Sequence, residues 1–190
     1  MRVARLLLLV LLFASCSYSA REFNLSDQEK KWFAPFRKGD TLYYESSAKE
    51  IDTVLVLGLD SFQKKSMGWI MAKPAYNGMD VFVKCLPAGK FDLGYHLLIT
   101  IIKYPQAHKT EYIFSFRDFF ESREADLGKL HQDTLMLNGS RLTDYYVITE
   151  SSLGDAAHSS IECLYWTERS GLVAYKYRNG VCWVRTSRIK

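Results

Sequence analysis

The chain has 190 residues, 48% of them hydrophobic and 14% aromatic, and its 25 basic and 21 acidic side chains leave a formal charge of +4. That length fits one domain of ordinary size with a single core. A balance so close to neutral excludes the strong positive field that would advertise nucleic acid or an acidic polymer as a partner.

The first twenty residues, MRVARLLLLVLLFASCSYSA, carry the anatomy of an export signal. Arg2 and Arg5 precede nine apolar residues from Leu6 to Ala14, which close on Ala14 and Ser15 before Cys16. Nine is about half of the ~20 that a membrane-crossing helix needs, so a spanning anchor is not expected. Phe13-Ala14-Ser15-Cys16 resembles a bacterial lipobox, although Phe13 departs from the usual Leu. That resemblance implies a diacylglyceryl group on the Cys16 sulfur and cleavage before it, with residues 1–15 as the signal peptide. Two or more acyl chains, at ~0.8 kcal/mol per buried CH₂, would hold the chain to a bilayer. Ordinary cleavage after Ser19 or Ala20 stays open, because Ser17 and Ser19 form a small-x-small site. Removing residues 1–15 would leave 175 residues and a charge of +2, since Arg2 and Arg5 leave together.

Residues 16–35 are polar and punctuated and read as a tether, with Trp32, Phe33 and Phe36 marking where the chain joins the core of a domain spanning 36–190. Lys38-Gly39-Asp40 signals a turn into a strand over Thr41 to Ser46, and a central strand is expected over Asp52 to Leu57. Met67 to Ala72 reads as a further strand, and Asn77-Gly78 as a type I′ hairpin turn returning into Met79 to Leu86. Tyr95 to Tyr104 and Thr110 to Phe114 follow as two more strands. Over Ser115 to Gly128 the spacing of Phe116, Phe119, Phe120 and Leu127, with Ser115 and Asp118 placed as a capping box, predicts one short amphipathic helix. Asn138-Gly139 predicts a hairpin joining Asp133–Leu137 to Arg141–Thr149, and Glu150 to Ser159 reads as a long loop. A closing meander is expected over Ser160–Thr167, Leu172–Tyr177 and Val181–Arg185. About ten strands in one domain need closure or two-layer packing to protect their edges. The expected fold is mostly β, a single antiparallel β-barrel or barrel-like sandwich.

Three groups of stretches together carry a resemblance: Phe36 to Leu42 with Asp52-Thr53-Val54; Leu135 to Gly139 with Tyr145-Tyr146-Val147; and Tyr165 with Gly171-Leu172-Val173 and Asn179 to Trp183. They resemble a group of small β-rich lipoproteins from Bacteroidetes. The resemblance spans most of the chain beyond the signal, implies attachment at the outer membrane, and brings no catalytic residue with it. It also implies that the Asp-Thr-apolar triplets at Thr41, Thr53 and Thr134 match a bacterial O-glycosylation pattern, although Asp-Thr also opens strands for structural reasons alone.

Chemistry is sparsely signalled. Cys85, Cys163 and Cys182 read either as small buried hydrophobes or as a source of one disulfide. No Cys/His cluster at ligand spacing occurs, so no metal or cofactor is expected. Gly-x-Ser-x-Gly, His-Glu-x-x-His, a P-loop and a dinucleotide fingerprint are absent from the sequence. His96 reads as a structural residue inside an apolar strand, and His108, His131 and His158 fall in turns or loops. The leading expectation is a non-enzymatic module tethered through Cys16, holding an apolar or saccharide ligand in the barrel mouth or docking on another envelope protein. Trp69, Tyr76, Tyr145, Tyr146 and Trp183 are its candidate contact aromatics. The alternative is a small envelope hydrolase in which Asp155 and His158 of the 150–159 loop act as an acid/base pair.

Overall fold

Alternation of apolar and polar residues builds most of this protein. In β1 (Thr41–Ser46), Leu42, Tyr44 and Ser46 are buried while Thr41, Tyr43 and Glu45 face outward, as the pleat of a half-buried strand requires. The computed structural model describes residues 25–64, 76–86, 95–104, 108–124, 130–150 and 160–186. After a short helical turn, α1 (Asp27–Lys30), and β1 come β2 (Ile51–Lys64), β3 (Tyr76–Leu86), β4 (His96–Tyr104), β5 (Lys109–Phe116) and β6 (Phe119–Glu124). Then follow β7 (Leu135–Leu137), β8 (Ser140–Leu142), β9 (Tyr146–Thr149), β10 (Ile161–Thr167), β11 (Gly171–Tyr177) and β12 (Cys182–Thr186).

Ten of these strands form one antiparallel sheet in the order β6-β5-β4-β3-β2-β1-β12-β11-β10-β9, and β7 with β8 forms a separate hairpin. The first and last strands pair with each other, Tyr44 opposite Arg185 and Ser46 opposite Trp183. The sheet therefore curls into a nearly closed barrel whose seam falls between β6 and β9. Register shifts at Val56/Gly58, at Val81/Phe82 and at Tyr165/Trp166 supply curvature. Across the seam, the Arg123 guanidinium donates from β6 to the Thr149 carbonyl at 2.8 Å and its hydroxyl at 3.2 Å, held on its own side by Glu121 at 3.1 Å.

The interior is filled by aromatic rings. Residues 31–36 turn into the barrel, and the aromatic join expected at Trp32, Phe33 and Phe36 forms with all three buried. Trp32 lies 5.8 Å from Tyr112 and 6.2 Å from Phe114 on β5, and on the other side of the seam 5.2 Å from Tyr146 on β9 and 5.8 Å from Trp166 on β10. One indole thus packs against both ends of the sheet at once, and residues 26–36 act as a plug.

Three expectations are corrected. The helix over Ser115 to Gly128 is not formed over its described part. Phe116 and Phe119 face each other across a two-residue turn at Arg117-Asp118, and β6 alternates with Phe119 and Glu121 buried and Phe120 exposed. A period of two prevails over the helical spacing because sheet pairing with β5 buries every second side chain. Asp118 caps nothing helical; its carboxylate accepts the Ser160 N–H at 2.7 Å. Asn77-Gly78 is not a turn either. Both lie within β3, where Gly78 sits opposite Phe62 and the Phe62 ring covers the space a side chain would fill. The hairpin at Asn138-Gly139 forms with positive φ at both residues, 47° and 80°, yet its second arm stops at Leu142, and after Asp144 (φ 52°) the chain leaves to pair as β9 with β10. The expected strand over Met67 to Ala72 and the loop beyond Glu150 lie outside the described residues.

Two glycines separate backbone strain from crowding. Gly171 (φ 70°) and Gly180 (φ 89°) both use left-handed backbone, but a Cβ on Gly171 would collide with the Phe36 ring whereas one on Gly180 would meet nothing within 4 Å. Gly180→Ala is expected to cost about 1–2 kcal/mol, the left-handed penalty alone. Gly171→Ala is expected to add about 1–3 kcal/mol of overpacking to that penalty. Urea denaturation of the two variants measures the difference, and equal losses would contradict the seating of Phe36 on Gly171.

Candidate functional site

The plug is built from local rules. Ser26 caps α1 through a capping box: its hydroxyl accepts the Glu29 N–H at 3.2 Å and its N–H donates to the Glu29 carboxylate at 2.5 Å. Glu29 also takes the Lys103 ammonium at 3.0 Å and the Thr110 hydroxyl at 3.0 Å. Lys103 and Thr110 are register partners on β4 and β5, so a single carboxylate fixes the turn to that end of the barrel. Burial pushes the Glu29 pKa up, but hydrogen bonds from Ser26, Lys103 and Thr110 outweigh it and hold the carboxyl below its ordinary value.

Beside this latch, where Lys103 pairs with Asn77 of β3, the barrel wall is tallest, with 14 residues in β2 and 11 in β3 against four in β9. Between the plug and this wall lies a cleft of about 800 Å³. Phe33 and Phe36 of the plug and Leu59 and Met79 of the wall give it an apolar floor. Strand alternation places Ser61, Gln63 and Asn77 on the same inner face farther along, and Lys30 stands at the edge. An apolar floor with a few polar groups and one cation around it is the composition of a small-molecule site.

A second polar group is structural. Asp52, 5% exposed, accepts the Arg117 guanidinium at 2.5 Å, the Thr53 N–H at 2.9 Å and the Tyr175 hydroxyl. Burial opposes the charge on Arg117, yet the Asp52 carboxylate beside it keeps the guanidinium pKa above its ordinary value. Burial and the same carboxylate push the Tyr175 hydroxyl up. Tyr44 packs edge-on against Tyr175 at 5.3 Å and donates to the Leu172 carbonyl at 3.0 Å. This network ties the β5–β6 turn to β2 and β11. It also rewards the positive φ of Arg117 (56°), a backbone cost of about 1–2 kcal/mol.

The residues singled out in the sequence do not converge. Tyr76 lies between Phe62 at 6.1 Å and Tyr104 at 5.6 Å. Tyr145 is buried beneath His131, their rings stacked at 5.1 Å. Tyr146 joins Trp32 in the interior, and Trp183 stacks on Tyr175 at 6.1 Å. His96 sits on β4 opposite Val83, and His108 is exposed at the start of β5. Among the described residues Cys85, Cys163 and Cys182 form no disulfide. Burial raises the pKa of Cys163 and pushes Cys182 up to about 11, which keeps both as weak nucleophiles. Cys16, Trp69, Asp155 and His158 lie outside the described residues. Among the described residues no group of three His, Cys, Asp or Glu side chains could hold a metal ion.

The sequence reading missed the cleft. Its signal was present as Ser61, Gln63 and Asn77, polar residues at core-facing parity in two apolar strands. Comparisons with protein-family models, with curated proteins and with solved structures found no match to this chain.

The Glu29 latch gives a pH dependence of definite sign. Because the folded carboxyl titrates below its ordinary value of 4.5, its stabilisation is complete above that pH and is lost as pH falls through the folded value. Trp32 near-ultraviolet circular dichroism is expected to weaken with acid in this range, and Glu29→Gln to weaken it already at neutral pH with a shallower acid response. An unchanged acid profile in Glu29→Gln would contradict the latch.

Proposed function

We propose that this chain is an exported envelope lipoprotein, held at the bacterial outer membrane through acylated Cys16, and that it works without catalysis by carrying an amphipathic small molecule. The observation that carries this reading is the cleft between plug and wall. Its volume of about 800 Å³ falls within the ~300–1,000 Å³ of small-molecule pockets, while the barrel interior around Trp32, Trp166, Phe114 and Tyr175 is filled by side chains. Leu59, Met79, Phe33 and Phe36 suit an apolar body, and Ser61, Gln63 and Lys30 suit a polar or anionic head. Each methylene buried there contributes ~0.8 kcal/mol, so a chain of modest length binds usefully.

The tether and the cleft are tested separately. Mass spectrometry of the processed protein is expected to find acyl chains on an N-terminal Cys16; an unmodified end at Ala20 or Arg21 would contradict the tether. Titration with an environment-sensitive amphiphilic dye tests the cleft. Ser61 is exposed to the cleft, so Ser61→Trp fills it without disturbing the core and is expected to weaken dye binding at least about tenfold, or ~1.4 kcal/mol. Binding unchanged in Ser61→Trp, with the variant folded, would contradict the reading.

A further inference from the structure

The outer face of the barrel carries a second concavity. The β7–β8 hairpin lies against β1, β11 and β12, pinned by the Asn138 amide, which donates to the Cys182 carbonyl at 2.8 Å and to the Glu45 carbonyl at 3.4 Å. Between hairpin and sheet runs a groove of about 550 Å³. Three guanidinium groups line it, Arg141 from the hairpin, Arg169 from the β10–β11 turn and Arg185 from β12, and among the described residues no carboxylate does; Asp144 and Glu168 lie in the adjoining recess that Arg141 and Arg169 also border. Among the described residues none of the three is in an ion pair. Arg141 donates to the Thr134 hydroxyl at 3.3 Å and Arg185 to the Ser170 carbonyl, so Arg185 is braced beside Arg169. By contrast, Arg117, Arg123 and Arg178 each face a carboxylate.

The rest of the lining narrows the ligand. Thr41, Ser140, Ser170 and Thr186 supply hydroxyls, which both donate and accept and so match a ligand that is itself rich in hydroxyls. Tyr43, Val173 and Val184 offer a ring and an aliphatic floor for C–H faces. Guanidinium forks match carboxylates in pairs of parallel hydrogen bonds. Because the cations stand on both walls of an open groove, they suit anionic groups spaced along a ligand better than one phosphate. The near-neutral charge of the whole chain conceals this cluster, since the 25 basic side chains are nearly matched in number by 21 acidic ones.

We propose that the groove between the β7–β8 hairpin and the β1–β12–β11 face binds a short acidic oligosaccharide, with Arg141 and Arg169 recognising its carboxylates and Tyr43 lying against a sugar ring. This site is separate from the cleft inside the barrel and does not depend on it.

Isothermal titration of the full chain in detergent, with oligogalacturonate and oligomannuronate as probes, tests the proposal. Arg141 and Arg169 are exposed, so Arg141→Ala and Arg169→Ala are expected to stay folded by circular dichroism and each to weaken binding by about tenfold or more. Added salt is expected to weaken binding of the native chain, and the carboxyl-reduced oligomer is expected not to bind. Ser61→Trp is expected to bind the acidic oligomers as the native chain does, which separates this site from the cleft. The proposal is overturned if neither acidic oligomer binds, if the reduced oligomer binds equally well, or if both arginine variants bind like the native chain. A glutamate-rich peptide of equal charge binding as tightly would also overturn it, assigning the groove to an acidic protein segment.

Discussion

A ten-stranded sheet that curls but does not finish its ladder leaves two edges facing each other, and the packing of Trp32 across that gap is the constraint on which the rest of this structure depends. The indole touches rings from β5 on one side and from β9 and β10 on the other. Bare strand edges are open to pairing with other chains. Here the polar bond from Arg123 to Thr149 and the buried indole close the gap in place of a backbone ladder. A tryptophan of this kind removes well over 150 Å² from water, more than a single seam hydrogen bond worth about 1 kcal/mol supplies. Position and sequence reinforce each other, since Trp32 can occupy the seam only because Glu29, one turn earlier, is fixed to Lys103 and Thr110.

The plug also sets where a ligand could go. Ala34 lines the inner cleft and Pro35 lines the outer groove. The two concavities are therefore separated by consecutive residues of one segment, which belongs to the stretch 16–35 read as a tether and is packed into the barrel at its end. Asp52, Arg117 and Tyr175 hold the β5–β6 turn in position.

Much of the architecture was legible because strand alternation is local. The parity of Met79, Val81, Val83 and Cys85, the turn at Asn138-Gly139 and the final meander each depend on neighbours a few residues apart. What was illegible depended on distant partners. Asn77-Gly78 has turn chemistry, but Phe62 across the ladder covers the glycine and favours a continuous strand. Phe116, Phe119 and Phe120 fit a helical spacing and no single strand's period of two; the turn at Arg117-Asp118 resets the parity, and pairing with β5 buries Phe116 and Phe119 and leaves Phe120 outside. The cleft was hidden for the same reason: Ser61 and Gln63 become site residues only once β2 extends past the plug. Arg141, Arg169 and Arg185 are 16 or more positions apart in sequence and meet only because the hairpin folds back over the sheet.

Amide hydrogen exchange in Trp32→Ala, under conditions where the variant stays folded, tests the seam most directly. If the indole closes the barrel, amides of β6 and β9 lose protection by orders of magnitude while those of β1, β2 and β3, remote from the gap, keep theirs. Protection lost evenly around the sheet, or unchanged at β6 and β9, would contradict the role given to Trp32.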